Sequence, residues 1–238
     1  MVALQAPPRR RLRYNPAMPD TGRGWFFTFE GPEGAGKTTQ MARVEAALVA
    51  RGFAVTRTRE PGGDPVGERV RELLLRRTPE TDGEDGAAPL CAEAELLLFA
   101  AARAQNVRSV VLPALAAGHL VLCDRFTDST IAYQGWGRGL PLETIRQVNA
   151  FATGGRAPDR TFLLDLPPAQ GLARRAQDEM NRLDREELAF HERVRSGFLA
   201  LAEAEPERFV VLDASLPEEA VATRLLAAVG EAMGISLD

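Results

Sequence analysis

A glycine loop set between an aromatic run and a helical pattern constrains this chain more than any other feature. Trp25-Phe26-Phe27-Thr28-Phe29 has the apolar, aromatic density of a buried strand. Gly31-Pro32-Glu33-Gly34-Ala35-Gly36-Lys37-Thr38 follows, and helical spacing runs from Thr38 to about Arg51, where Gly52 ends it. The loop fits G-x-x-x-x-G-K-[ST] at every fixed position, in the strand–loop–helix context that the motif requires. Its glycines let backbone N–H groups wrap the β- and γ-phosphates of a nucleoside triphosphate without Cβ clashes, and the helix N-terminus adds partial positive charge. Lys37 would bridge the β- and γ-oxygens and the Thr38 hydroxyl would ligand Mg²⁺; the candidate phosphate site runs from Gly31 to Thr39.

Composition sharpens this reading. Of 29 basic residues Lys37 is the one lysine, in a chain that otherwise writes arginine. A lysine kept there marks a need for a compact ammonium that a planar guanidinium cannot meet. The net charge of -4 argues against a sequence-independent nucleic-acid binder. Cys91 and Cys123 sit in apolar surroundings and read as reduced, mostly buried thiols, and His119 and His191 are too far apart in sequence to suggest a metal pair. No apolar run approaches a membrane span, and Arg9-Arg10-Arg11 leads into no secretory signal, so the expected compartment is the cytoplasm.

Residues 1–24 mix proline, arginine and glycine without periodicity and read as a flexible tail, with Met18 as an alternative start. Residues 25–238 read as a single domain. Strands are expected at 25–29, 53–59, 120–124, 161–166 and 209–213. Helical patterns occupy 66–77, 92–116 (one helix or two joined) and 218–233, with an acidic, irregular segment between Thr78 and Pro89. Strands alternating with helices indicate an α/β fold with a five-stranded parallel sheet and helices on both faces, the P-loop NTPase architecture, with a short lid near 174–185. Ligands of such sheets bind at the carboxyl ends of the strands, where this chain puts Glu30, Asp124 and Asp165. Asp124 is placed to hold Mg²⁺ or a water on it, with Arg125 beside it for phosphate.

Guanine specificity would want Asn-Lys-x-Asp, which the single lysine rules out. A motor ATPase would show an apolar strand ending in paired acids, and none is present. The chain resembles the thymidylate kinase family from about Trp25 to its last helix, on motifs that recur in family order. These are Phe29-Glu30 with the whole loop through Thr39, Thr58-Arg59-Glu60-Pro61-Gly62-Gly63, and Leu98-Phe99-Ala100-Ala101-Ala102-Arg103. Asp124-Arg125-Phe126, Ala132-Tyr133-Gln134-Gly135, Pro158-Asp159-Arg160, Leu164-Asp165-Leu166-Pro167-Pro168 and Asn181-Arg182-Leu183-Asp184 follow.

The resemblance implies a homodimeric, Mg²⁺-dependent enzyme that makes dTDP from dTMP and ATP. It implies that Phe99 stacks on thymine, that Arg103 bonds the base O4, and that Ser129, Thr130 and Gln134 contact base or sugar. Arg59 would line the monophosphate side, Arg125 would hold the acceptor phosphate, and Glu33 would lie near the acceptor sugar. By spacing alone Phe99 is a core residue and Arg103 a surface charge, although their i, i+4 relation puts both on one helix face. Arg71 is a weaker phosphate candidate. Phosphoryl transfer depends on alignment and charge neutralisation, so the lid arginines Arg174, Arg175 and Arg182 join Lys37, Arg125 and Glu33 as catalytic candidates, with Arg182 either a catalyst or an anchor to Asp184. The chain departs from the family pattern at Phe126, where tyrosine is common, and at Asp64, where threonine is usual. Another monophosphate kinase of the same fold, or a nucleotide-binding regulator without turnover, are the alternatives.

Overall fold

Five strands pair in parallel in the order β2-β3-β1-β4-β5: β1 (Phe26–Glu30), β2 (Val55–Arg59), β3 (Leu120–Asp124), β4 (Arg160–Asp165) and β5 (Phe209–Asp213). The computed structural model describes residues 24–75, 89–175 and 181–237. All of the expected tail but Gly24, most of the acidic segment and residues 176–180 of the lid region lie outside them.

The central strand shows why this sheet is covered on both sides. Every residue of β1 is buried. Phe27 and Phe29 point to the face that packs against α1 (Lys37–Ala50) and α9 (Glu218–Met233), in one cluster with Leu48, Phe162, Leu164 and Leu225. Phe26 points the other way, to Val107, Val111, Val121 and Phe126. A third cluster joins Leu163 and Phe209 to Phe190, Val194 and Phe198 of α8 (Leu188–Ala204). Near-continuous apolar strands are what a parallel sheet buried on both faces requires. Thr28, polar within the aromatic run of β1, meets the Thr161 hydroxyl at 2.8 Å.

The remaining helices are α2 (Pro65–Leu75), α3 (Ala92–Asn106), α4 (Leu112–Ala116), α5 (Thr127–Thr130), α6 (Leu142–Thr153) and α7 (Pro168–Arg175). The long 92–116 pattern is two α-helices joined by a π-helical stretch, Val107–Val111. Pro113, just inside α4, offers no N–H and its ring would collide with a carbonyl of the preceding turn; a widened turn accommodates it. A second π-helical stretch, Ile131–Gly137, continues α5. Both cysteines are free, but Cys91 is exposed at the start of α3 and only Cys123 is buried, which corrects the expectation for the pair.

β1 lies between β3 and β4, while β2 and β5 form the edges. The strand order therefore reverses around β1, and the crevice at its carboxyl end is where such sheets bind ligands.

Candidate active site

The loop after β1 closes tightly. Gly31 and Gly34 have φ of 138° and 69°. A Cβ on Gly31 would lie 2.3 Å from the Leu164 carbonyl oxygen, and one on Gly34 would lie 2.2 Å from that of Gly171. Gly171 in turn leaves no room for a Cβ against the Glu33 carbonyl, so loop and α7 touch backbone to backbone. Lys37 opens α1 and folds over the loop, donating to Gly31 O at 3.0 Å and Pro32 O at 2.8 Å. Burial, followed by the nearby Arg125, lowers the Lys37 pKa to about 8. Thr38 donates to Asp124 Oδ2 at 2.9 Å. This pairing places the hydroxyl and strand-end carboxylate of the expected metal pair together. Among the described residues no group of three or more His, Cys, Asp or Glu side chains is placed to hold a metal. Two hard oxygen donors beside a phosphate loop fit Mg²⁺, which completes its shell with phosphate oxygens and water.

Arg125 stands in the left-handed region at φ 68°, rare for a non-glycine residue. Its Nη1 donates to Gly31 O and to Ser129 Oγ, both at 3.2 Å, and its Nη2 donates to Glu33 at 2.8 Å. The guanidinium also lies over the Tyr133 ring, 5.0 Å from its centroid. Glu33 is held at its other oxygen by the Tyr133 hydroxyl at 2.7 Å. Burial pushes the Glu33 carboxyl up, but Arg125, Lys37 and the Tyr133 hydrogen bond outweigh it, and its pKa falls to about 2. The loop after β1 and the turn after β3 are thus joined by charge.

Across the cleft Arg103 is 1% exposed. Its Nε donates to Glu60 at 2.7 Å, Nη1 to Asn149 Oδ1 at 2.7 Å and Nη2 to the Phe126 carbonyl at 3.0 Å. Phe99, one turn earlier, packs partly buried against the cluster of Ile131, Tyr133 and Leu183 and lines the same cleft. Thr130 and Gln134 are each 1% exposed. Gln134 donates to Glu95 at 2.8 Å, whereas Thr130 Oγ1 is buried without a hydrogen-bond partner. Arg59 pairs with Glu68 at 2.8 Å near the surface, and Arg71 donates to Pro61 O at 3.0 Å. Asp165 faces Arg195 through two bonds of 2.7 Å, so this strand end is occupied by an arginine of α8.

The lid arginines separate. Arg174 reaches the carbonyls of Gly34 and Ala214, each at 3.3 Å, and so spans the phosphate loop and the segment after β5. Arg175 pairs with the buried Asp184 at 2.8 Å. Arg182 turns inward, to Leu74 O at 3.0 Å and to the Glu95 carboxylate, and not to Asp184.

Lys37, Thr38, Asp124, Arg125, Arg59, Phe99, Arg103, Ser129, Thr130, Gln134, Arg174 and Arg175 share one cleft of about 1020 Å³. Sequence reasoning passed over Tyr133, although the Ala132-Tyr133-Gln134-Gly135 stretch contains it, and over the buried acids Glu60 and Glu95. Glu60 also lies within a quoted motif, but nothing local gives the role of either acid, because their arginine partners come from distant segments.

A sequence model of the family described as thymidylate kinase matches residues 29–225. The chain is 56% identical to a thymidylate kinase of Deinococcus radiodurans over 209 residues, 87% of this chain and 97% of that protein. It is 52% identical to a thymidylate kinase of Thermomicrobium roseum over 211 residues, covering 88% and 96%. With the phosphate loop, the arginine-lined cleft and these matches spanning nearly the whole sheet, the chain belongs to the thymidylate kinase family.

Proposed function

We propose that this cleft transfers the γ-phosphoryl group of ATP to dTMP, giving ADP and dTDP. The observation that carries the reading is Arg125, which touches the phosphate loop through Gly31 and Glu33 and the acceptor side through Ser129 and Tyr133. ATP phosphates lie along Gly31–Thr39, with the Lys37 ammonium free to exchange two neutral carbonyls for charged phosphate oxygens. Thr38 and Asp124 would hold Mg²⁺, which would supply charge neutralisation for the nucleotide's phosphates. Phe99 supplies a platform for thymine, and Arg103, Thr130 and Gln134 face its edge. Arg125, with Arg59 and Arg71 behind it, binds the acceptor phosphate. An oxygen of that phosphate attacks the γ-phosphorus in line, and the bond to the β-phosphate oxygen breaks as the new one forms.

The Arg174 contacts at 3.3 Å are to neutral carbonyls, so a developing phosphoryl charge can draw this side chain in. Arg175 is committed to a carboxylate. Arg174 is therefore the lid cation that acts on the transferring group, and Arg182 with Glu95 anchors the lid's far end.

A homodimer fits the surface. Helices α2, α3 and α6 pack side by side, and they leave Val66, Leu73, Leu97 and Phe151 exposed, Phe151 by 90%. Apolar side chains on neighbouring helices are what a subunit contact covers. Among the described residues no helix is long and apolar enough to cross a membrane; with soluble substrates, the cytoplasm is the working compartment.

ADP release measured with ATP, Mg²⁺ and each monophosphate in turn tests the activity. Release that requires dTMP and stops with EDTA supports it; dTMP-independent release or none contradicts it. Sedimentation of the parent chain and of Phe151→Asp tests the dimer, which the substitution should dissociate.

A further inference from the structure

Glu30 closes β1 and is fully buried, yet the reaction as described gives it no task. Its Oε1 accepts the Phe126 N–H at 2.7 Å and the Ser129 N–H at 3.3 Å, and its Oε2 accepts the Ser129 hydroxyl at 2.6 Å. Ser129 Oγ in turn accepts from Arg125 Nη1 at 3.2 Å. These bonds run in one direction. A serine hydroxyl has one proton and an ionised carboxylate has none, so the proton must point at Glu30 and a lone pair is left for Arg125. The turn between them is the one in which Arg125 takes φ 68°, with its own N–H on Phe29 O at 3.0 Å.

We infer that Glu30 and Ser129 form a positioning relay that fixes the Arg125 guanidinium for the acceptor phosphate. Glu30 does this twice, by clasping the turn through two backbone N–H groups and by orienting the Ser129 hydroxyl. With both Nη1 protons held by Gly31 O and Ser129 Oγ and one Nη2 proton on Glu33, Arg125 keeps its Nε–H and its second Nη2 proton for an incoming phosphate. Ser129 then acts on the phosphate through Arg125 and does not itself contact base or sugar. The inference rests on Arg125 being the acceptor-phosphate residue, and the test separates the two.

Calorimetric binding of dTMP and of thymidine, at about pH 8, distinguishes these roles because only dTMP carries the phosphate. Ser129→Ala removes the link and keeps the backbone clasp. Glu30→Gln keeps an oxygen for the backbone donors but sets an amide N–H₂ against Ser129 Oγ, which turns the hydroxyl proton toward Arg125. Each variant should weaken dTMP by roughly fivefold to tenfold, the scale of one charge-assisted hydrogen bond, with thymidine changed by less than about twofold. In turnover the KM for dTMP should rise while kcat stays within about twofold. The double variant should be no weaker than the worse single one, as members of one relay are not additive. Equal loss for dTMP and thymidine in Ser129→Ala would assign Ser129 to the nucleoside and overturn the relay, as would no loss for either. Ser129→Ala decides alone if Glu30→Gln does not fold. Arg125→Ala provides the remaining arm. If it leaves dTMP binding unchanged, the phosphate role of Arg125 fails and the relay with it. If it weakens dTMP while Ser129→Ala does not, the relay alone fails.

Discussion

Replacing Arg103 by methionine should unfold the chain more easily, and more so as pH rises. The side chain fills space that methionine can fill in part, but its three hydrogen bonds go to Glu60, Asn149 and the Phe126 carbonyl, all buried. Without it Glu60 keeps only the Asn106 amide, at 3.2 Å, on its other oxygen. Removing one partner of a buried ion pair costs about 3–5 kcal/mol, because the other charge stays unpaired away from water. Against a total stability of roughly 5–15 kcal/mol, this lowers Tm by about 6–20 °C at the 2–4 °C per kcal/mol expected for a domain of this size. The sign of the pH dependence follows from Glu60. Burial raises its pKa above the ordinary 4.5, and Arg103 and Asn106 pull it back down. Loss of Arg103 raises it further. A carboxyl with a raised folded-state pKa favours folding fully below its unfolded value and loses that contribution as pH climbs through the folded one. The variant's deficit should therefore be small near pH 4.5 and large at about pH 8. Urea unfolding at both values measures it, and Arg103→Met with Glu60→Gln should recover part of the loss. An equal deficit at both pH values, or none, would refute the buried-charge argument.

Phe99→Ala should raise the KM for dTMP far more than that for ATP, by the roughly 1–3 kcal/mol of a base–aromatic contact; equal effects that track stability would return Phe99 to the core. Arg174→Ala should lower kcat at least about tenfold, 1.4 kcal/mol, with little change in the KM for dTMP, while Arg175→Ala stays milder, and the reverse order would assign the transition-state contact to Arg175. Lys37→Arg keeps the charge but should lose most activity, since a guanidinium is too wide for the loop; near-normal turnover at saturating ATP would contradict the argument from the single lysine. Glu30, with burial foremost and Asp128 next, has its pKa raised to about 7, so it favours folding below about pH 4.5 and loses that contribution as pH passes 7. Glu30→Gln should abolish this loss, so its stability relative to the parent chain should improve between pH 5 and pH 8, and a flat difference would dismiss the titration.

The sheet was legible because its signals are local. An aromatic strand, a glycine loop and a capped helix need no distant partner to be recognised, and β1, β3 and β5 fall within a residue or two of the expected runs. The π-helical stretches were not legible, because a run of helix-forming residues reads alike in α and π form; only the length of the 92–116 run suggested two joined helices. In the cleft, residue types were readable but not their engagements. Arg103 is matched to Glu60 and Asn149, 43 and 46 residues away, and Arg182 to Glu95, 87 residues away. Such pairings depend on how α3, α6 and the lid pack, which no single segment encodes. Ser129 shows the same limit: its type suggests a ligand contact, while its hydrogen bonds to Glu30 and Arg125, on which the proposed relay rests, come from distant and local segments together.

The central claim is that the acceptor end of this cleft selects dTMP. The direct measurement is kcat/KM for dTMP, dUMP, dCMP, AMP and GMP at saturating MgATP, with Phe99→Ala and Arg103→Met assayed beside the parent chain at a temperature where all are folded. The account predicts that dTMP and dUMP, which share O4, lead dCMP and the purines by roughly a hundredfold or more, as expected when a wrong base leaves a buried donor unpaired, and that both substitutions shrink this ratio. Equal efficiency across the five monophosphates, or a preference for a purine, would contradict it.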